Sequence, residues 1–325
     1  MTANGMEREM SQLKAAVIFD GQSNAEVDQI EQALECPAVR SRFREASSFG
    51  VDLAGLFRTA PPEVLNSPAA HVLHFAVAVG LFDELRAREV VPSVVSGASL
   101  GQLSALTAAG VLRFERALEI VKRRSAIIAS ATRDFKGLTI QVRGSNPDLL
   151  ERVTPFLTSR VSVAIINSST SLNLTGPKEE VEEVETALKQ LAGVKVFRLP
   201  FAVISHSPLL KAYESGMTLI LAIRNRDAEN AVFHSVQIPV ISDLDGDLFS
   251  RFGGPFRKIL KKQLSSTINW PAVVQRLRSF EPTYVVNVGL NPYLWRDTAK
   301  EWPEISVLKV SDMASVEAVV RALRS

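Results

Sequence analysis

The chain has 325 residues, 46% hydrophobic and 22% charged, the make-up of a soluble globular enzyme with room for a large core plus an inserted or second domain. Its 37 basic and 35 acidic residues leave a net charge of +2, too balanced for nucleic acid to be the main partner. A single cysteine, Cys36, excludes an internal disulfide framework and a cysteine-based metal site, and no apolar run reaches the ~18 residues of a membrane span.

Residues 1–13 are polar, contain no apolar signal region and read as a loose tail, so the cytoplasm is the expected compartment. "AAVIF" (Ala15 to Phe19) is a buried strand type, and a helical stretch follows near Glu26 to Leu34. "AAHVLHFAVAVGLFDEL" carries apolar residues at helical spacing and reads as a mostly buried helix, on which His71 and His74 are expected to be packing residues. "VPSVVS" (Val91 to Ser96) is a short β-branched strand, "LGQLSALTAAG" a helix of small residues closed by Gly110, and "RFERALEIVKRRSAIIASA" another helix. Strand, glycine-rich turn and helix in succession are the unit of a parallel α/β sheet.

The pattern changes after Lys136. "GLTIQVRG", "VSVAIINSS", "TSLNLTG" and "VKVFRLP" read as strands, and "NPDLLERVTPFL" and "PKEEVEEVETALKQLAG" as helices. The second helix has Pro at its first turn and acidic residues at the end where they suit the dipole. The order βαββαβ is ferredoxin-like, so residues 137–202 are expected to be a small subdomain inserted in a large α/β domain of residues 14–136 and 203–325. After Pro200 the chain returns to helices and to strands such as "IPVISDL" and "TYVVNVG".

Gly97-Ala98-Ser99-Leu100-Gly101 fits G-x-S-x-G. The glycines permit a sharp turn and close helix–strand packing. The serine then sits at a helix N-terminus, where main-chain N–H groups face a developing oxyanion. The context the motif needs, a strand before and a helix after, is present. A serine hydroxyl needs a base at neutral pH, and of the four histidines only His206 lies at a strand-to-helix junction, in "LPFAVISHSPLL".

At this point the sequence resembles the malonyl-CoA:acyl-carrier-protein transacylases and the acyltransferase domains of polyketide synthases. The resemblance runs from about Lys14 to the C-terminus in five ordered blocks: "FDGQSNA", "GASLGQLSALTAAGVL", "ALEIVKRRS", "SHSPLL" and "KKQLSSTINWPAVV". It implies an α/β-hydrolase-like large domain and a covalent acyl-Ser99 route. Ser99 is then the nucleophile and His206 the base, with the main-chain N–H groups of Gln22 and Leu100 as oxyanion donors. The Gln263 main-chain carbonyl orients His206, making a dyad without an aspartate. Arg124 holds the carboxylate of a malonyl-type group through its guanidinium fork, and Ala98, Val203 and Ser205 line the acyl pocket. The substrates are acyl-CoA or a phosphopantetheinyl acyl carrier protein, with no bound cofactor or metal, and the enzyme is a monomer. Because carrier proteins are acidic, Arg257, Lys258, Lys261 and Lys262 are the candidate docking cations.

Five positions depart from the family pattern. Ala98 stands where histidine is usual, Ser23 and Ser125 where glycine is, Asp20 for proline, and Ser67 for glutamine. "VIS" before His206 matches neither common malonyl nor methylmalonyl tripeptide. These departures keep the chemistry and point to a free-standing acyltransferase of polyketide or related specialised biosynthesis. Two other readings stand beside transfer: hydrolysis of acyl groups from carrier proteins on the same fold, and a non-enzymatic docking role.

Overall fold

The structure is a computed structural model describing residues 15–59, 61–65, 67–200, 203–222, 233–249, 256–290 and 292–324. The tail expected at residues 1–13 lies outside the described residues. Among the described residues eleven strands, β1 to β11, form two sheets. The larger contains β1 (Ala15–Phe19), β2 (Val94–Gly97), β7 (Val240–Ile241), β8 (Leu248–Phe249), β10 (Tyr284–Val288) and β11 (Ser306–Val310). Their order is β11-β10-β1-β2-β7-β8, parallel throughout except for the antiparallel edge pair β7–β8.

β1 is central because it is apolar on both faces. Ala15, Val17 and Phe19 join the main core, while Ala16 and Ile18 face a second cluster with Trp270 and Val285. The same alternation runs through β2, where Val95 faces the main core and Val94 the second cluster. The His71–Ala87 helix is buried around nearly its whole circumference. Gly80 lets it approach the Pro37–Ser48 helix, since a Cβ there would lie 2.6 Å from Val39 Cα. Among the described residues no helix is long and apolar enough to cross a membrane.

The smaller sheet contains β3 (Gly137–Gly144), β4 (Ser162–Ser168), β5 (Ser171–Pro177), β6 (Val194–Arg198) and β9 (Ile268–Asn269). The first four are antiparallel in the order β6-β3-β5-β4, the ferredoxin-like arrangement. A fifth strand, β9, comes from far along the chain and pairs parallel with β4. Period-two alternation gives this sheet two unlike faces. Leu138, Ile140, Val142, Leu172 and Leu174 pack on the Leu149–Val153 and Lys178–Leu188 helices. Gln141, Arg143 and Asn173 point the other way, into a cleft between the two sheets.

Two expected elements differ in detail. The helix expected over 146–157 is one α-turn, Leu149–Val153, closed by a 3-10 turn at Thr154–Phe156 where Pro155 removes a donor. The helix after His206 begins as a 3-10 segment, Pro208–Tyr213, before Glu214–Ala222 turns α-helical.

Candidate active site

The cleft holds a cavity of about 370 Å³. Gln22, Ser99, Leu100, Arg124, Val203, Ser205 and His206 all line it. Ala98 does not. It continues the β2 alternation into the cluster of Ile18 and Trp270, so its side chain lies behind the nucleophile turn. The expectation that Ala98 lines the acyl pocket is therefore corrected by the two-residue period of the strand.

The turn at Ser99 is built by its glycines. A Cβ on Gly97 would sit 2.2 Å from Gly101 O, and one on Gly101 would sit 2.1 Å from Phe19 O. The helix Leu100–Ala108 can start against β1 only because both positions are bare. Ser99 is forced to φ 57°, ψ −111°, a left-handed conformation costly for a side-chain-bearing residue. Its amide is committed to Asp243, donating to Oδ2 at 2.8 Å. The next amide, that of Leu100, opens the helix and has no acceptor one turn back.

Ser99 Oγ lies 2.7 Å from His206 Nε2 and accepts from Arg124 Nη2 at 3.0 Å. With Arg124 donating, the hydroxyl proton points at the imidazole. His206 Nδ1 donates to the Gln263 carbonyl at 2.6 Å, and a carbonyl only accepts, so Nε2 is the free acceptor. The neighbouring amide of Ser207 donates to Leu264 O, and His206 itself takes φ 56°. Two adjacent bonds thus pin the histidine to the end of the Phe256–Lys262 helix.

Arg124 is 1% exposed, while Lys122 and Arg123, the two residues before it, are exposed. The Phe114–Phe135 helix buries Ala117, Val121, Arg124, Ile128 and Ala131, a stripe at alternating three- and four-residue spacing. Arg124 falls on that stripe, and its guanidinium emerges beside Ser99. Nη2 also donates to Gln263 Oε1 at 3.2 Å, whereas Nε and Nη1 have no partner among the described residues. Burial lowers its pKa to about 10, so it is a cation at neutral pH. Burial, and then the Arg124 charge, push His206 down to about 3, so its imidazole is neutral and able to take a proton.

Asp243 and His71 carried no motif in the sequence, and Asp20 stood out only as a departure from one. Asp243, fully buried, accepts from Ser99 N and from Gln263 Nε2, each at 2.8 Å, and its own amide donates to Gln102 Oε1. It follows β7, the strand beside β2, and the carboxyl ends of adjacent parallel strands are where α/β sheets gather functional groups. His71, expected to be a packing residue, lines the cavity; its Nε2 is 2.8 Å from Gln22 Oε1 and its Nδ1 is 3.0 Å from Ser125 Oγ. Burial holds it neutral. His74 does pack, bonding Leu65 O. Asp20 accepts from Asn287 Nδ2 and from the amides of Tyr293 and Leu294, tying the Gln22 loop to the start of the Leu294–Glu301 helix.

Arg257, Lys258 and Lys262 are exposed on the Phe256–Lys262 helix, and Lys261 is half-buried, 4.0 Å from Glu214. Cys36 is buried at the start of the Pro37–Ser48 helix with its thiol pushed up to about 12 by burial, far from nucleophile chemistry. Among the described residues no group of three His, Cys, Asp or Glu side chains has the placement to hold a metal ion.

Known proteins resemble this chain over most of their length. The chain is 27% identical over 318 residues to a malonyl CoA-acyl carrier protein transacylase of Haemophilus influenzae, covering 94% of this chain and 98% of that one. It is 27% identical over 283 residues to the protein of the same name from Escherichia coli, covering 84% and 88%. An acyl carrier protein S-malonyltransferase of Vibrio cholerae superposes with a TM-score of 0.82 at 27% identity, covering 94% and 99%. A malonyl-transacylase solved in complex with its type II PKS acyl-carrier protein superposes at 0.84 with 26% identity, covering 95% and 99%. The acyl transferase domain model matches residues 40–320, and by that match the chain belongs to the acyl transferase family.

Proposed function

We propose that this protein moves a malonyl-type acyl unit from a thioester, on CoA or on a carrier protein, to an acyl carrier protein through an ester on Ser99. One observation carries the reading. Arg124 is a buried cation 3.0 Å from Ser99 Oγ, and its Nε and Nη1 have no partner among the described residues, so donors stand in reserve for a carboxylate brought in beside the nucleophile. Relatives named malonyl CoA-acyl carrier protein transacylase support the donor and acceptor classes.

Ser99 Oγ gives its proton to His206 Nε2 and attacks the thioester carbonyl carbon. The oxyanion forms between the amides of Leu100 and Gln22, at the start of the Leu100–Ala108 helix. The C–S bond breaks and the departing thiolate takes the proton from His206. The carrier thiol then enters, loses its proton to the same nitrogen and attacks the ester carbonyl. The C–O bond breaks and Ser99 recovers the proton. Gln263 keeps Nε2 facing Ser99 throughout. Val203 and Ser205 border the acyl unit, and the cations on the Phe256–Lys262 helix meet the acidic carrier. The departures at Asp20, Ser23, Ser67 and Ser125 favour a role in polyketide or related specialised biosynthesis.

Intact-protein mass after mixing with a panel of acyl-CoAs tests the reading. A malonyl or substituted malonyl adduct is expected, absent in Ser99→Ala and lost in Arg124→Ala. Acyl groups that pass onto a carrier protein establish transfer; release as free acid instead would establish the hydrolase. An adduct surviving Ser99→Ala would sink the mechanism.

A further inference from the structure

Gln263 does more than offer its main-chain carbonyl to His206. Its side-chain amide stands between two buried charges. Oε1 accepts from Arg124 Nη2 at 3.2 Å, and Nε2 donates to Asp243 Oδ2 at 2.8 Å and to Ser99 O at 3.0 Å. Arg124 and Asp243 are thus cation and anion at the two ends of one amide, both essentially without solvent contact. Asp243 Oδ2 is occupied twice, by Ser99 N and Gln263 Nε2, whereas Oδ1 has no partner among the described residues.

We propose that Asp243 is a specificity-determining residue: its carboxylate, coupled to Arg124 through the Gln263 amide, offsets the charge that would hold an acyl carboxylate, so the site accepts neutral acyl units beside malonyl-type ones. The inference rests on Arg124 being the carboxylate site. A dicarboxylic acyl group brings a second anion next to a cation that already has one. The site relieves this by taking a proton on Asp243 Oδ1. That atom is free to hold it, so neither the bond from Ser99 nor that from Gln263 has to break. Burial raises the Asp243 pKa to about 7, with the bonds from Ser99 and Gln263 and the charge of Arg124 opposing, so the proton is exchanged within the working pH range.

The groups packed around Asp243 keep this simple. Arg124 is the charged group facing it from the Phe114–Phe135 helix, and His206 stands beyond Gln263, held neutral. Ser99, Gln102 and Asn269 contribute only neutral bonds, and Asp245 and Asp247 are exposed. Above pH 7 the site therefore carries one negative charge more than below it, and affinity for a carboxylate weakens as pH rises. Acetyl transfer has no such dependence.

The test compares kcat/KM for malonyl-CoA and acetyl-CoA between pH 6 and 8.5 in the wild type and in Asp243→Asn, which keeps the shape and both hydrogen-bonding positions. In the wild type the malonyl-to-acetyl ratio is expected to fall about tenfold across this range, equivalent to about 1.4 kcal/mol. In Asp243→Asn the ratio stays at or above the wild-type low-pH value throughout. A purely structural role would lower both donors together and leave the ratio unmoved, which would overturn the inference while leaving the transferase reading intact. A wild-type ratio independent of pH would overturn it as well, whether or not the variant folds. Failure of the wild type to load malonyl on Ser99 at all would overturn both.

Discussion

Replacing Arg124 by Met separates the cost of keeping a buried cation from its use. In the free site the guanidinium makes two hydrogen bonds, to Ser99 Oγ and Gln263 Oε1, and two of its nitrogens have no partner among the described residues. Losing those bonds costs about 1 kcal/mol each, and removing a poorly paired buried ion returns about 1–4 kcal/mol. Asp243 loses its counter-charge but takes a proton on Oδ1, limiting the penalty. The net change in stability is within about 2 kcal/mol, a shift in Tm of no more than about 5 °C. Once a malonyl group is bound the balance is different. Its carboxylate would be buried without a partner, at about 3–5 kcal/mol, which lowers kcat/KM by two to nearly four orders of magnitude. Differential scanning calorimetry and a discontinuous transfer assay with malonyl- and acetyl-CoA read both effects. Malonyl transfer within tenfold of wild type, or a Tm loss above about 10 °C, would refute the assignment of Arg124 to the substrate.

Gly101→Ala places a Cβ 2.1 Å from Phe19 O and 2.6 Å from Asp20 O, backbone atoms of the central strand and its exit. We expect about 3 kcal/mol of destabilisation by urea melt and loss of acyl-enzyme formation; a variant with wild-type stability would contradict the packing described. His206 is held at about 3 instead of 6.5, so its base form persists as pH falls through the usual imidazole range. Single-turnover acylation at saturating donor should hold its rate to well below pH 6.5. A limb centred between pH 6 and 7 that survives Asp243→Asn would show that burial and Arg124 do not govern this histidine.

Much of the site was legible because its residues sit on short-range patterns. G-x-S-x-G between a strand and a helix marks Ser99, and the histidine before a Ser-Pro helix start marks His206. Arg124 was singled out from Lys122 and Arg123 by the family resemblance alone; the structure supplies the physical reason, the stripe it shares with Ala117, Val121 and Ile128. The βαββαβ order was readable because each segment has its own period. Asp243 was not, since its partners Ser99 and Gln102 lie more than 140 residues away and nothing in "IPVISDL" marks the carboxylate as inward. His71 was hidden by a helix buried on all sides, where no face is distinguished. Ala98 was misplaced because the family pattern names a position, whereas the strand's alternation decides which side of the sheet the side chain occupies.

β9 carries a consequence for anyone wishing to exchange parts of such enzymes. Residues 268–269 follow Gln263 by one short turn and then enter the small sheet as a partner of β4, Ile165 opposite Ile268 and Ile166 opposite Asn269. Thr267 Oγ1 also donates to Val163 O. The peptide that orients His206 is therefore stitched to the edge of the small sheet. Grafting residues 137–202 from a relative to change substrate preference would replace one half of that seam and leave the other half behind. A chimera that keeps the donor's own 256–269 segment with its small sheet preserves the seam, and with it the alignment of the histidine.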